Sequence, residues 1–377
     1  MGTSVVIVTR KPEGWLERCL TAVAPQAAET IVVDNGSFGD TCERLCERFG
    51  ARRLRQEDNL GFARGSNVGV AAAREDHIAL LNDDAFPEPG WLEHSEAVLR
   101  DETIGAVVPK LLFAWRRGIV RIDDPVRFNG RHPLPYGRYV TSVTVGGVDV
   151  TSAITVLGAH EQSPDGFWST GATMVVLPLV HNNEDVRVNG EPVELLESFD
   201  MVNNAGSFLH LGGWCGDIGF GHRDDGSFDT ATDRFAACGA AVVARRDVWE
   251  RVGGLAQDFF AYYEDSDWSW RLRLGGYRVR YEPSVVVRHV HAQTGGEGSP
   301  WFKFFVARNR VLCLTRNAPR RVVARTLTQL PPLPPGVAKS LAQQVPLALR
   351  DRRVLACGWE ETPEAVWSAW AGRNVPQ

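Results

Sequence analysis

No run in this chain approaches the ~18 consecutive apolar residues that a membrane-spanning helix requires. Nor does its start read as a signal peptide, because Ser4-Val5-Val6-Ile7-Val8 has the continuous apolar character of a strand. A soluble cytoplasmic protein is expected, with Trp367 and Trp370 as residues for peripheral contact with a membrane surface. Positive charge is in short supply: Lys and Arg total 41 against 46 Asp and Glu, and a net charge of -5 gives no reason to expect nucleic-acid binding. Cysteine is scattered and odd in number (Cys19, Cys42, Cys46, Cys215, Cys238, Cys313, Cys357). Cys42 and Cys46 have i, i+4 spacing, but no second pair completes a zinc site, and reduced thiols are expected. Internal repeats are lacking too. What remains is an ordinary globular composition, 44% hydrophobic and 23% charged, in 377 residues, enough for two or more substructures.

The first third alternates strand and helix. Apolar runs at 5–8, 30–33 and 78–81 and the short segment Arg52-Arg53-Leu54 read as strands, and residues 15–24, 41–49, 63–74 and 89–99 between and after them read as helices. This order predicts an α/β fold with an open mixed, mostly parallel sheet and flanking helices. From about Gly118 to Asp200 the helical periodicity stops. Residues 139–145 alternate like one half-buried strand, and Asn189-Gly190 centres a hairpin. So long a segment is expected to form a β-rich insertion with its own sheet. From Phe235 the α/β character returns, with helices at 246–252 and 264–274 and a strand at 285–287. Beyond Trp301 the chain reads as helical, interrupted by the proline-rich connector at 331–335. The expected division is 1–117, 118–200, 201–300 and a helical C-terminal extension at 301–377.

Polar groups cluster where four strands end: Thr9, Asp34-Asn35, Glu57-Asp58-Asn59 and Asn82-Asp83-Asp84. Open α/β sheets bind ligands at the carboxyl ends of their strands. A single acid there is ordinarily a cap or turn residue, whereas several converging ends indicate a site. Successive strand side chains point to opposite faces, so one of Asp83 and Asp84 can face a pocket. Hard oxygen ligands suit Mg2+ or Mn2+, whose shells are completed by water and phosphate oxygens. A second cluster sets Glu264, Asp265 and Asp267 among Tyr262, Tyr263, Trp268 and Trp270. A carboxylate on apolar surface is costly unless a cation, a donor or a substrate proton compensates it. Taken alone, Asp265 also fits a helix N-cap with Asp267 in the first turn. His160, His181, His210 and His222 show no metal-ligand spacing.

Val8-Thr9, Val33-Asp34-Asn35-Gly36-Ser37, Asn59-Leu60-Gly61-Phe62-Ala63-Arg64-Gly65-Ser66-Asn67 and Leu81-Asn82-Asp83-Asp84 follow one another in a specific series. Gly253-Gly254-Leu255, Tyr263-Glu264-Asp265-Ser266-Asp267, Trp270-Arg271, Gly276-Tyr277 and Val287-Arg288-His289 continue it. Together they resemble family 2 glycosyltransferases of the GT-A fold, most of all the rhamnosyltransferase-like branch, over residues 1–117 and about 201–315.

The resemblance implies a nucleoside-diphosphate sugar donor, with a dTDP- or UDP-sugar favoured, and an acceptor hydroxyl on a glycan, a lipid-linked glycan or a small metabolite. It implies that Asp34, with Thr9 beside it, bonds the nucleotide base, and that Asn59 and Arg64 border base and diphosphate. Asn82-Asp83-Asp84 stands at the family's Asp-x-Asp motif, with Asn at its first position. Asp83 would approach ribose or sugar, and Asp84 would bind Mn2+ or Mg2+. His289 would be the second metal or diphosphate ligand, with His291 a rival. Asp265, beside Glu264, would be the catalytic base of an inverting displacement, with Tyr263, Trp268 and Trp270 as an acceptor wall. Arg308-Asn309-Arg310 matches a further family pattern, for which packing and diphosphate contact are both open. The insertion departs from the family plan and is a candidate for shaping the acceptor pocket or for a homodimer contact. A sugar nucleotidyltransferase would need a Gly- and Arg/Lys-rich loop after the first strand, which Thr9-Arg10-Lys11-Pro12-Glu13-Gly14 does not supply. The alternative reading is a catalytically degenerate nucleotide- or glycan-binding protein of the same fold.

Overall fold

The structure is a computed structural model that describes residues 2–124, 137–163, 166–179, 185–291, 296, 298–330 and 332–373. It forms two compact units: Met1–Leu112 with Val202–Phe220 and Gly226–Gln377, and Phe113–Met201 with Gly221–Asp225.

The chain runs β1 (Thr3–Thr9), α1 (Leu16–Val23), β2 (Glu29–Asn35), α2 (Thr41–Phe49), β3 (Arg52–Gln56), α3 (Gly61–Ala72), β4 (His77–Asn82), β5 (Ala85–Pro87), α4 (Trp91–Val98) and β6 (Ile104–Phe113). The second unit contributes β7 (Arg117–Asp123), β8 (Tyr139–Val140), β9 (Val143–Val145), β10 (Val148–Asp149), β11 (Thr155–Ser163), β12 (Gly166–Pro178), β13 (Val186–Val188), β14 (Glu191–Val193) and β15 (Leu195–Phe199). The first unit resumes with β16 (Val202–Asn204), β17 (Ser207–Leu209), β18 (Cys215–Asp217), β19 (Thr232–Asp233), β20 (Ala241–Arg245), α5 (Arg246–Val252), α6 (Glu264–Leu274) and β21 (Arg278–His289). It ends in α7 (Pro300–Asn317), α8 (Arg320–Thr328), α9 (Val337–Leu355) and α10 (Pro363–Trp370).

In the first unit the main sheet has the order β19-β21-β6-β20-β4-β1-β2-β3, with β16 on β6 and β5 on β21. Strands β4, β1, β2 and β3 are parallel, and β20 enters antiparallel beside β4. The β-branched runs predict this: Val5, Ile7, Ile31, Val32, Val33 and Ala79 are fully buried between the helical layers. Gly69 lets α3 lie tight on β1, since a Cβ there would come within 2.2 Å of Val6 Cγ1. Register brings Thr9 opposite Asp34 and Val8 opposite Asn82, so the polar residues that end β1, β2 and β4 share one edge.

Helices α6 to α10 share a second core with Trp270 at its centre. Trp367 stacks on Trp270 at 6.1 Å, and Trp370 packs on Phe235 with the Arg273 guanidinium 4.2 Å over its ring. The expectation that these tryptophans meet a membrane is therefore corrected: they cover the hydrophobic side of α6. No described helix is long and apolar enough to cross a membrane. All seven cysteines are free thiols.

The second unit is β-rich. One sheet has the order β11-β12-β7-β15 with β8 on β12, and the other the order β10-β9-β13-β14. Val120, Ile122, Val140, Phe167 and Val188 lie in its core. The single strand expected over 139–145 is two short ones in different sheets. Asn189 Oδ1 accepts from the amides of Thr141 (2.9 Å) and Ser142 (3.2 Å), and so holds the chain where it changes sheet. Asn189 and Gly190 adopt φ of 49° and 83° and join β13 to β14, as a two-residue hairpin turn demands. His181 and Pro331 lie outside the described residues.

Candidate active site

The site begins at the ends of β1, β2 and β4. Thr9 Oγ1 donates to Asp83 Oδ2 at 2.5 Å. Burial, assisted by the neighbouring Asp84 charge, outweighs that bond and pushes Asp83 up to about 6. Asp34 is fully buried. Its Oδ1 accepts from the Ser37 amide at 3.0 Å, and its Oδ2 takes the Arg53 guanidinium through Nε at 3.0 Å and Nη2 at 2.7 Å. Burial raises the Asp34 carboxyl, but Ser37 and Arg53 outweigh it and hold the group below the usual carboxylate range. Asp34 is thus an ionised acceptor fixed by its own strand neighbour.

Asn59 ties the next loop together: its Oδ1 accepts from Asn35 Nδ2 at 2.9 Å and from the Gly61 amide at 3.0 Å. The first amides of α3, at Phe62 and Ala63, donate to the carbonyl of Phe260 at 2.7 and 3.2 Å. Gly61 is required there: its φ is 77°, and a Cβ would stand only 2.6 Å from that carbonyl oxygen. Arg64 is exposed on the first turn of α3.

Asp84, just after β4, faces His289, the last residue of β21, with Oδ1 3.2 Å from Nε2. His289 Nδ1 lies 2.9 Å from Asn203 Oδ1, an acceptor, which places the ring proton on Nδ1. Nε2 then presents a lone pair toward Asp84, with Asn82 Nδ2 3.4 Å away. Two electron-rich atoms facing each other, with the imidazole oriented by Asn203, fit a cation held between them. No three His, Cys, Asp or Glu side chains converge among the described residues, so the protein would supply two ligands. His291 lies beyond β21 with φ of 68°, and its ring meets that of His289 edge-on at 5.8 Å, so the two do not stand side by side on one strand.

The second acidic cluster opens α6. Asp265 Oδ2 accepts from the Gly239 amide at 2.9 Å, and its Oδ1 accepts from the Ser266 amide at 2.6 Å. The next residue along, Ala240, accepts from the Asn82 amide at 2.9 Å. Residues 239 and 240 therefore join the two acidic clusters directly. Burial raises the Asp265 carboxyl, with the Asp217 charge adding to it, against the two amide bonds. Glu264 is buried, its Oε2 has no hydrogen-bond partner among the described residues, and burial followed by the Asp265 charge raises it strongly.

Asp267 behaves in the opposite way. It is wholly buried, yet Arg316 Nε at 2.9 Å, Asn317 Nδ2 at 2.7 Å and Arg271 Nε at 3.0 Å hold it. Burial raises its carboxyl, and the two guanidinium charges outweigh that and lower it. Arg271 in turn donates to the carbonyls of Val252, Gly253 and Gly254.

Trp268 and Trp270 are 1% exposed: Trp268 packs on Trp249 in the sheet core and Trp270 on Phe235. Their expected role as an acceptor wall is corrected, because neither ring offers a face to a sugar. Tyr263 is half-buried, its hydroxyl accepting from the Cys215 amide at 3.4 Å. Two residues to which the sequence alone assigns no role become visible here. Asn203 orients His289, and Asp217 bears on Asp265. Asn309 Nδ2 reaches the carbonyls of Phe259, Ala261 and Tyr262 at 2.9, 2.9 and 2.7 Å. That clamp holds a loop in which Phe260, Tyr262 and Tyr263 all have positive φ, an arrangement costing ~1–3 kcal/mol per residue unless its surroundings impose it. The Arg308-Asn309 pattern is thus packing around the acids rather than a diphosphate contact. A signal existed in the adjacent polar pair inside an apolar helix, but its partners are carbonyls, which sequence does not mark.

A family model, Glycosyl transferase family 2, matches residues 4–114. The Pre-mycofactocin glycosyltransferase of Mycobacterium tuberculosis is 31% identical over 135 residues, which cover 34% of this chain and 27% of that protein. The N-acetylglucosaminyl-diphospho-decaprenol L-rhamnosyltransferase of the same organism is 23% identical over 308 residues, 78% of this chain and 77% of that one. The crystal structure of GalNAc-T7 with UDP, GalNAc and Mn2+ superposes with a TM-score of 0.56 at 14% identity, covering 98% of this chain and 56% of the other. The architecture is thus of the GT-A type, while the matched part spans about a quarter of the first relative's length.

Proposed function

Starting from a chain that carries a glycosyl transferase family 2 domain at residues 4–114, we propose that it moves a sugar from a nucleoside diphosphate to an acceptor hydroxyl with inversion at the anomeric carbon. The observation that carries this reading is the junction at Gly239-Ala240. One residue binds the raised carboxylate of Asp265, and the next holds Asn82 of the donor-side cluster. A base and a diphosphate site belong within one substrate's length of each other, and this backbone link supports that.

Asp34 and Thr9 would face the nucleotide, with Asn59 and Arg64 along the diphosphate and Asp83 near the ribose or sugar. Asp84 and His289 would hold a divalent cation, Mn2+ or Mg2+, which when bound neutralises charge on the diphosphate. Asp265 would take the acceptor proton as the acceptor oxygen attacks the anomeric carbon. The carbon–oxygen bond to the diphosphate breaks as the new one forms, and the nucleotide leaves with the electron pair. Burial favours the neutral form of Glu264, which would limit the negative charge beside the base. Tyr263 remains the acceptor-side aromatic of this reading. A dTDP- or UDP-sugar is the favoured donor. The rhamnosyltransferase relative, named for a decaprenol-linked acceptor, favours a lipid-linked glycan here.

The test is release of nucleoside diphosphate from dTDP-, UDP- and GDP-sugars, offered with free glycans, prenyl-diphosphate-linked sugars and small phenolic or alcohol acceptors. Release that depends on both one donor and one acceptor class is expected. Silence across the panel with a folded protein would favour a degenerate binding protein.

A further inference from the structure

Between Glu297 and Asp351 the chain contains nine cations and no acid, although its net charge is -5. The fold occupies some of these cations: Arg308 and Arg310 donate to backbone carbonyls and Arg316 binds Asp267. Lys303, Arg320, Arg321, Arg325, Lys339 and Arg350 are exposed. Helix α9 turns Val337, Leu341 and Ala348 into the core. Its opposite side carries, at helical spacing, Lys339, Gln343, Leu347, Arg350 and Val354, flanked by Arg353. Leu347 and Val354 are 48% and 70% exposed.

The start of α8 joins this end of α9. Arg352 turns inward onto the carbonyls of Thr315 and Ala318, the latter just ahead of α8, and burial lowers its pKa with the Arg320 charge adding to it. Of the acids at hand, Asp351 is paired with Arg316, and the exposed Glu364 bears on Arg352. A single exposed leucine is ordinary. Two exposed apolar side chains seven residues apart, interleaved with cations on a helix face that is exposed among the described residues, have the composition of a helix that lies in a lipid headgroup layer.

We infer that this face of α9, with the start of α8, docks the protein on an anionic lipid bilayer. Leu347 and Val354 enter the headgroup boundary, and Arg320, Arg350 and Arg353 meet lipid phosphates. Charge favours a bilayer over a second copy of the chain, since two such faces would oppose like charges. The inference stands independently of sugar transfer, because none of these residues belongs to the candidate active site.

The experiment is co-sedimentation of the full chain with phosphatidylcholine vesicles, with and without phosphatidylglycerol, at low and high salt. Wild type is expected to pellet only with the anionic vesicles at low salt. One surface cation contributes roughly fivefold in partitioning, so Arg350→Glu with Arg353→Glu should reduce binding by on the order of tenfold or more. Leu347→Ser with Val354→Ser should also release the protein, with an unchanged thermal midpoint because both residues are exposed. Equal binding to neutral vesicles, or wild-type binding by the Arg350→Glu, Arg353→Glu variant, would overturn the inference. So would a wild-type dimer in light scattering that the Leu347→Ser, Val354→Ser variant turns into a monomer without any vesicle binding.

Discussion

An Asp265→Asn variant is expected to fold normally and lose roughly 10²–10⁴-fold in kcat, with little change in the donor KM. The amide keeps the shape of the carboxylate but has a single acceptor oxygen, so it can hold only one of the Gly239 and Ser266 amides, and it cannot take a proton. The pH dependence follows from the same environment. Burial raises Asp265, so the base is protonated and transfer falls as pH drops through that raised value. For stability the sign is reversed. A carboxyl raised on folding contributes most below its unfolded pKa, and that contribution is lost as pH rises through the folded value. Asp265→Asn removes that buried charge but leaves one of the two backbone amides without its acceptor, so the two effects on the thermal midpoint at neutral pH oppose each other. Undiminished nucleotide release by this variant would remove Asp265 from the mechanism.

Two residues further along α6, Asp267→Ala is expected to destabilise the protein by ~3–5 kcal/mol, read from the urea midpoint at unchanged slope. The loss would come less from the missing carboxylate than from Arg271 and Arg316, left buried without their counter-charge. Arg271 also braces the 252–254 backbone, so the damage should spread to the turn after α5. The lowered Asp267 carboxyl gives the opposite pH sign to Asp265. Its contribution is present above the unfolded carboxyl pKa and is lost as pH falls through the lower folded one. A cost below about 1 kcal/mol would mean that the network breaks even with solvent, as exposed ion pairs do.

The contrast between Asp265 and Asp267 shows how far the sequence could be read. The run Glu264-Asp265-Ser266-Asp267 marks one acidic cluster, and nothing local separates a base from a structural anchor. The difference is made by Arg316 and Asn317, some fifty residues away, and by the Gly239 amide on another element. The same distance misled the reading of Trp268 and Trp270, which look like a sugar wall beside the acids and are instead the two core-facing sides of α6. Strands such as Val5–Val8 and helices such as α2 were legible because apolar periodicity is a local signal. The strand expected at 139–145 failed because Asn189, distant in sequence, bends it between two sheets. Asp84 and His289 could be paired only through the resemblance, since the partner that orients the imidazole, Asn203, carries no motif of its own.

The most direct measurement is calorimetric titration of UDP, dTDP and GDP into the wild-type protein and into Asp84→Asn, each with Mn2+, with Mg2+ and with EDTA. One nucleoside diphosphate should bind in the presence of a divalent cation. Its affinity should fall tenfold or more, about 1.4 kcal/mol, both with EDTA and in Asp84→Asn. Tight binding indifferent to the cation and to Asp84, or no binding by any of the three, would contradict a donor site built on Asp84 and His289.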